Sequence, residues 1–381
     1  MFGFLLWRAR GLSLTILGLT GILGTLAWTP PLAAQTFSDL LPEWEIPEPS
    51  HPPFIAPELS TVTIKAVGDT ILGTNYPSNH LPPQPDALFQ RVQSLLTDAD
   101  FVFANFESTL TNYPHTPKRP SAGRVYAFRS PPEHSAVLKR AGFTILSVAN
   151  NHSHDFSVQG YQDTIRHIQN QGMLAVGEKN KIVYTEANGL TVAWIGFSYL
   201  GHHNSIHDLA QARKLAQQAS QNADLVIISV HAGAEGMNAI HTRNQTEMFL
   251  GENRGNMVQF SRTMIDHGAD LILGHGPHVP RAIELYRGRL IAYSLGNFVG
   301  YRTLNTQGAN GYSLILAVEL EADGQFLEGQ IIPLRLTPEG IPYPDPEGRT
   351  IQLIRRLNAS DFPQTPLEIT PEGALIVLPK D

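Results

Sequence analysis

Five short stretches concentrate the side chains that bind metals or move protons. They are Gly68-Asp69, Asn105-Phe106-Glu107, Asn150-Asn151-His152-Ser153-His154-Asp155, His231-Ala232-Gly233-Ala234-Glu235 and Gly274-His275-Gly276-Pro277-His278. Each follows an apolar run. Carboxylate, carboxamide and imidazole together suit a borderline or hard divalent cation. Hydrolytic two-metal sites use a carboxylate to bridge ions about 3.5–4 Å apart, and neutral ligands then complete each shell without overcharging it. Taken singly, the residues have plainer readings. Asp69 reads as a turn former or helix cap, Asn105 and Glu107 as loop polars, and His231 as a satisfied core histidine. Their recurrence at five successive strand ends favours one shared site.

The elements that must position these residues alternate between strand and helix. Strands are predicted at 61–67, 101–104, 144–148, 225–230 and 271–273. Helices are predicted at 86–97, 132–141, 158–170, 208–221 and 257–267. Hairpins are expected around Asn188-Gly189, Arg287-Gly288 and Asp323-Gly324. This pattern is that of an α/β fold. In open α/β sheets the ligand site lies outside the carboxyl ends of the strands, so all five stretches should meet at one edge. The segment 336–381 is Pro-rich, with a short helix near 351–357 and a short strand near 374–378, and reads as an appendage.

The chain has 381 residues, enough to bury a sizeable core, and 42% of them are hydrophobic. With 27 basic and 34 acidic residues the net charge is −7, which argues against nucleic acid as a partner. The sequence has no cysteine, which excludes disulfides, thiolate metal sites and a thiol nucleophile. Arg8 and Arg10 are the only charges in residues 1–34, and 11–28 is apolar or small throughout. This reads as a signal peptide cleaved after Ala34, or as an uncleaved anchor, since the run is just long enough to span a bilayer. Either reading puts the body outside the cytoplasm, in the periplasm or at the cell surface. Residues 35–60 carry six prolines and read as a semi-stiff tether, with the body at 61–335.

The segments Val67-Gly68-Asp69, Ala104-Asn105-Phe106-Glu107, Ala149-Asn150-Asn151-His152 to Asp155, Val230-His231-Ala232-Gly233-Ala234-Glu235, Gly274-His275-Gly276-Pro277-His278-Val279 and Tyr293-Ser294-Leu295-Gly296-Asn297-Phe298 occur in order. Together they resemble the poly-gamma-glutamate capsule-synthesis protein CapA family, which is similar in turn to the calcineurin-like metallophosphoesterases. The resemblance covers about residues 61–333. It implies a four-layer α/β/β/α sandwich with mixed sheets and a site for one or two divalent ions, Mn, Fe or Zn. It assigns Asp69, Glu107, Asn151, His231, His275 and His278 as metal ligands, with Glu107 in the bridging position. His152 takes the place of the catalytic histidine, and Asp155 can orient it. Asn105, Glu235, Asn297, Arg124 and Arg129 are candidates for substrate contact. The sequence departs from the pattern at Ile71, where the phosphoesterases carry a ligand histidine. It departs also in the spacing of His275 and His278, three rather than two, and at Ala232, Gly276 and Ser157.

The chemistry implied is metal-assisted hydrolysis of a phosphoester, with His152 protonating the leaving oxygen. Two other readings stay open: a non-catalytic envelope factor that binds a polyanionic polymer, and a metal-dependent enzyme acting on γ-glutamyl amide bonds. The expected partners are an anionic polymer or phosphoester and the capsule-synthesis machinery of the envelope.

Overall fold

The computed structural model describes residues 60–118 and 125–379. The expected leader, nearly all of the tether, and Arg124 lie outside the described residues. Among those residues, a ten-stranded sheet runs in the order Leu367–Ile369, Ala374–Val377, Phe326–Leu336, Tyr312–Glu321, Thr61–Ile71, Phe101–Phe106, Ile145–Ser147, Leu174–Val176. Asn297–Gly300 joins it beside the end of the 61–71 strand, and Pro342–Pro344 beside 326–336. A seven-stranded sheet runs Ile283–Tyr286, Arg289–Ala292, Leu271–His275, Leu225–His231, Leu190–Ser198, Val183–Ala187, with Asn204–Ser205 beside 190–198. Both sheets are mixed. Strands 61–71, 101–106, 145–147 and 174–176 are parallel, and 312–321 and 326–336 return antiparallel. In the second sheet 190–198, 225–231, 271–275 and 289–292 are parallel, with antiparallel hairpin partners at both edges.

Residue alternation along each strand builds the layers. Ile64, Ala66, Phe103, Trp194, Ile227, Leu271 and Leu273 point into one core between the two sheets. Trp194 stacks on Phe103 across that gap, centroids 5.8 Å apart and planes at 9°. Their sequence neighbours face outward, yet these too are buried. Val102, Ala104, Leu146 and Ala175 pack with Val137, Leu138, Ile165 and Ile168 of the helices His134–Ala141 and Ser157–Asn170. Ala193, Ile195, Val226, Ile228 and Ile272 pack with Ala212, Leu215, Val258 and Met264 of the helices Leu209–Ser220 and Met257–Ile265. Strands covered on both faces explain why 225–230 and 271–273 are continuously apolar. The order helix, sheet, sheet, helix is the expected four-layer α/β/β/α sandwich.

Two local expectations give way. The 86–97 helix forms as two 3-10 turns, Pro85–Leu88 and Gln93–Leu95. Its apolar residues Leu88, Phe89, Val92 and Leu96 are buried as a helix would bury them. Asp, Phe, Val, Ser and Thr are indifferent helix formers, so packing sets the backbone. The segment 336–381, read as an appendage, contributes to the cores. Its helix Arg349–Asp361 buries Ile351 and Ile354 between the sheets and Leu353 and Leu357 outside them, and its last strands extend the first sheet. No helix among the described residues is long and apolar enough to cross a membrane.

Asp270 couples the second sheet to pH. It is buried, accepts from Val226 N (2.8 Å) and pairs with Arg289 Nε (2.9 Å). Burial nevertheless pushes its carboxyl up to about 6. The folded chain therefore holds a proton that the unfolded chain, with a carboxyl near 3.9, has released. Its contribution to stability is accordingly full below about pH 4 and is lost as pH rises through about 6. A rise of that size corresponds to about 3 kcal/mol. Urea denaturation of the chain and of Asp270→Asn should show their stability difference moving against the wild type across that window. A difference independent of pH would show that Asp270 stays ionised.

Candidate metal centre

Strand register brings the site residues side by side. Asp69 pairs with Asn105 on one flank and with Asn297 on the other, and Asn105 pairs with Ser147. In the facing sheet His231 pairs with His275. The expected single edge is thus the common edge of two packed sheets. Asp69, Asn105, Glu107, Asn150 and Asn151 come from the first, and His231, His275 and His278 from the second.

The amides form a scaffold. Asn150 Nδ2 donates to Asn105 Oδ1 (3.1 Å) and Phe106 O (2.9 Å). Asn105 Nδ2 in turn donates to Asp69 Oδ1 (2.7 Å) and lies 3.2 Å from His231 Nδ1. His275 and His278 both reach Asp69: His275 Nδ1 is 3.7 Å from Oδ1, and His278 Nδ1 is 3.0 Å from Oδ2. Left-handed backbone at Gly276 (φ 105°) and His278 (φ 58°) makes the turn that accommodates their spacing of three. Asn297 Oδ1 accepts from His278 Nδ1 (2.9 Å), and its Nδ2 is tied to Asn305 O and Asn310 O.

Glu107 is fully buried, and neither of its oxygens has a hydrogen-bond partner. Its Oε1 lies 4.0 Å from His152 Nε2, 3.8 Å from His231 Nε2 and 3.7 Å from His278 Nε2. These spacings are long for hydrogen bonds. Those to His231 and His278 suit ligands sharing an ion, since two atoms each about 2.1 Å from one cation lie about 3–4 Å apart. Asn151 Oδ1, His231 Nε2 and both His275 nitrogens are likewise buried without partners. Buried polar atoms are normally paired, so this concentration of orphans fits a cation. Asp69, Glu107 and His278 offer atoms mutually within 4.8 Å. Burial, with Asp69 and Glu235 nearby, pushes the Glu107 carboxyl well above its ordinary range. Burial works against a charged His278, but Glu107 and Asp69 outweigh it and pull that imidazole up. The rise at His278 marks the pull of these two carboxylates on a cation. His231 and His275 are lowered chiefly by burial, His275 to about 4, and so stay neutral, as ligands must be.

His152 is held from behind. Its Nδ1 donates to Asp155 Oδ2 (2.8 Å), which also accepts from Phe128 N (2.6 Å), while Lys118 pairs with Asp155 Oδ1. This fixes the ring with Nε2 toward Glu107. Burial lowers the His152 pKa, Asp155 opposes that, and Lys118 adds to it. Lys118 and Phe128 carried no sequence signal, because neither lies at a strand end. Asn150 was inside a recognised cluster, but its scaffold role depends on long-range contacts. Ser157, at φ 62°, occupies the left-handed position for which glycine is the usual residue.

Cavities of about 410 and 670 Å³ meet at the centre and share Tyr126, Asn151, His152, Glu235 and Phe249. Glu235 pairs with the buried Arg254 (2.9 Å). Arg129 does not line either cavity. It bonds Asn75 Oδ1 (2.7 Å) and Tyr113 O (3.1 Å) and lies 4.9 Å from the Phe156 ring centroid, so its place is in packing. The hairpin Glu247–Phe249 with Glu252–Gly255 closes one side of the site. It is pinned by Arg281, wholly buried, whose two guanidinium nitrogens each bond Glu247 at 2.8 Å. Glu247→Ala would leave that cation buried and unpaired, at a cost of about 3–5 kcal/mol, seen as a lower urea midpoint. A midpoint within experimental error of wild type would contradict it.

The fold and the site define a four-layer α/β/β/α protein with a buried carboxylate–imidazole centre at the shared edge of its sheets. Residues 63–302 match the family described as bacterial capsule synthesis protein PGA_cap, and the chain belongs to that family. It is 33% identical over 250 residues to the PGA biosynthesis protein CapA of Bacillus subtilis (strain 168), covering 61% of this chain and 62% of that protein. It is 30% identical over 267 residues to the capsule biosynthesis protein CapA of Bacillus anthracis, covering 64% and 60%. The chain thus spans about three fifths of the length of these relatives. Among solved structures, the 5'-nucleotidase precursor from Thermus thermophilus aligns with 79% of this chain and 59% of its own, at 13% identity and a TM-score of 0.40. The Haemophilus influenzae NAD nucleotidase aligns with 78% and 56%, at 13% identity and a TM-score of 0.38.

Proposed function

We propose that this chain is an exported, metal-dependent hydrolase serving capsule synthesis, with a phosphoester as the bond it cleaves. The observation that carries this reading is Glu107: a fully buried carboxylate, both oxygens unpaired, ringed by three imidazole nitrogens. Asp69, Glu107 and His278 would hold one ion. Glu107, Asn151 and His231 would hold a second, with His275 beside Asp69. Mn, Fe or Zn suits these donors. Divalent ions there supply Lewis-acid stabilisation of a phosphoryl group and a more acidic water. The protein does the rest. Asp155 keeps the His152 proton on Nδ1 and aims Nε2 at the centre, where an added proton can be passed to a leaving oxygen. Lys118 balances the charge of Asp155, Asn297 orients His278, and the joined cavities leave room for substrate beside His152.

A second reading, a factor that binds a polyanionic polymer without cleaving it, is favoured by Ile71, which is fully buried and apolar. The role of the Bacillus subtilis relative in PGA biosynthesis also admits cleavage of γ-glutamyl amides at the same centre. Elemental analysis of the purified chain, followed by turnover assays on activated phosphoesters and γ-glutamyl peptides, separates the three. Metal with phosphoester turnover supports the first reading. Turnover of peptides alone moves the chemistry to amides. Metal without turnover on either class leaves the binding factor. Export is tested by fractionation with N-terminal sequencing. A start near Gln35, or an intact Met1 in the membrane, supports it, and full-length chain in the cytoplasm removes it.

A further inference from the structure

We propose that His154, His202 and His203 form a separate site for a borderline divalent cation such as Zn²⁺, at the rim of the larger cavity. Each offers a ring nitrogen, and these lie within 4.8 Å of one another. Ring centroids are 4.2 Å apart for His154 and His202, 4.3 Å for His202 and His203, and 5.6 Å for His154 and His203. The three come from two segments that are distant in sequence. His154 sits on the turn that carries His152 and Asp155, and His202 and His203 sit on the loop after the Leu190–Ser198 strand.

The surroundings already orient the rings. Ser153 Oγ donates to Asn150 O (2.9 Å), so it accepts from His154 Nδ1 (3.1 Å) and leaves the His154 Nε2 lone pair free. His203 is wholly buried and is held through both nitrogens, by Ser153 Oγ (3.0 Å) and Ser198 Oγ (2.9 Å). Ligand histidines are commonly fixed in this way, one nitrogen on a hydrogen bond and the other on the ion, so one serine contact is retained and one yields. Tyr161 stacks on His154 (4.4 Å, 22°) and also lies 5.8 Å from the His203 ring centroid, so it braces both rings. His202 is exposed and free to complete the set. Burial, aided by mutual repulsion, keeps His154 and His203 below the ordinary histidine range, which preserves the neutral ligating form. Three neutral imidazoles are a donor set that would hold Zn²⁺. An ion there would tie the 200–203 loop to the turn bearing His152, and so act on the proton donor by position rather than by contact with substrate.

The test is a Zn²⁺ titration of the tag-free chain against a chromophoric chelator. In an Asp69→Ala/Glu107→Ala background, which removes the Glu107 centre, one equivalent of Zn²⁺ should still bind. Adding His154→Ala and His202→Ala should abolish it, with circular dichroism reporting that the fold is kept. If that background does not fold, His202→Ala in the otherwise unchanged chain should lower Zn²⁺ capacity by one equivalent, since an exposed side chain can be removed without disturbing the core. Unchanged capacity on loss of these histidines, or no Zn²⁺ bound in the folded Asp69→Ala/Glu107→Ala chain, overturns the site. Neither result depends on turnover, so the outcome is independent of the function proposed above.

Discussion

Glu107→Gln is expected to lose bound metal from the Glu107 centre altogether, while His231→Ala loses only part of it. The difference follows from geometry. Glu107 Oε1 faces His152, His231 and His278 at 4.0, 3.8 and 3.7 Å, so one carboxylate serves every ligand grouping, whereas His231 serves one. Glutamine keeps the shape and removes the charge that holds a cation in a buried place. Stability should move the other way. In the metal-free chain both Glu107 oxygens are buried and unpaired, and burial already drives that carboxyl toward its neutral form. Glutamine is neutral at every pH, whereas a carboxyl raised by burial loses stability as pH climbs past the ordinary carboxylate range, so at neutral pH metal-free Glu107→Gln should melt above metal-free wild type. Added Mn²⁺ or Zn²⁺ should raise the Tm of the wild type more than that of the variant, because only the wild type gains binding energy at this centre. Elemental analysis and melting curves with and without chelator read both effects. Wild-type metal content in Glu107→Gln would refute the bridging assignment.

His152→Ala separates chemistry from metal. Its Nδ1 is engaged by Asp155 at 2.8 Å, and its Nε2 is the farthest of the three imidazole nitrogens from Glu107 Oε1. The variant should keep its metal and lose about 10²–10⁴-fold in kcat on a phosphoester whose leaving group needs a proton. On an ester with a good leaving group, such as a nitrophenolate, the loss should be much smaller. Asp155→Asn should fall between, because the ring remains but its tautomer and direction are no longer enforced. Loss of metal in His152→Ala would make this residue a ligand. An equal loss with both leaving groups would remove the proton-donor role.

The sequence by itself determined the chemistry available. Runs of alternating or continuous apolar residues mark strands through local backbone geometry, and the residue after each run is fixed by chain order. Asp69, Glu107, Asn151, His231, His275 and His278 are legible at strand ends for that reason. The family resemblance added a candidate neighbour at Asn297, and the fold as a layered sandwich. The tertiary structure decided that these ends belong to two sheets packed face to face, because pairing such as Asp69 with Asn297 or His231 with His275 joins residues far apart in the chain. It also decided which polar residues serve the centre. Lys118 and Phe128 reach it through long-range bonds with no periodic trace, and Asn150 through two such bonds, while Arg129, promising on charge alone, is taken up by Asn75, Tyr113 and Phe156. Local pattern follows from the geometry of a few adjacent peptides. The orphaned oxygens of Glu107 and the meeting of His154 with His202 and His203 arise only where packing closes the chain on itself.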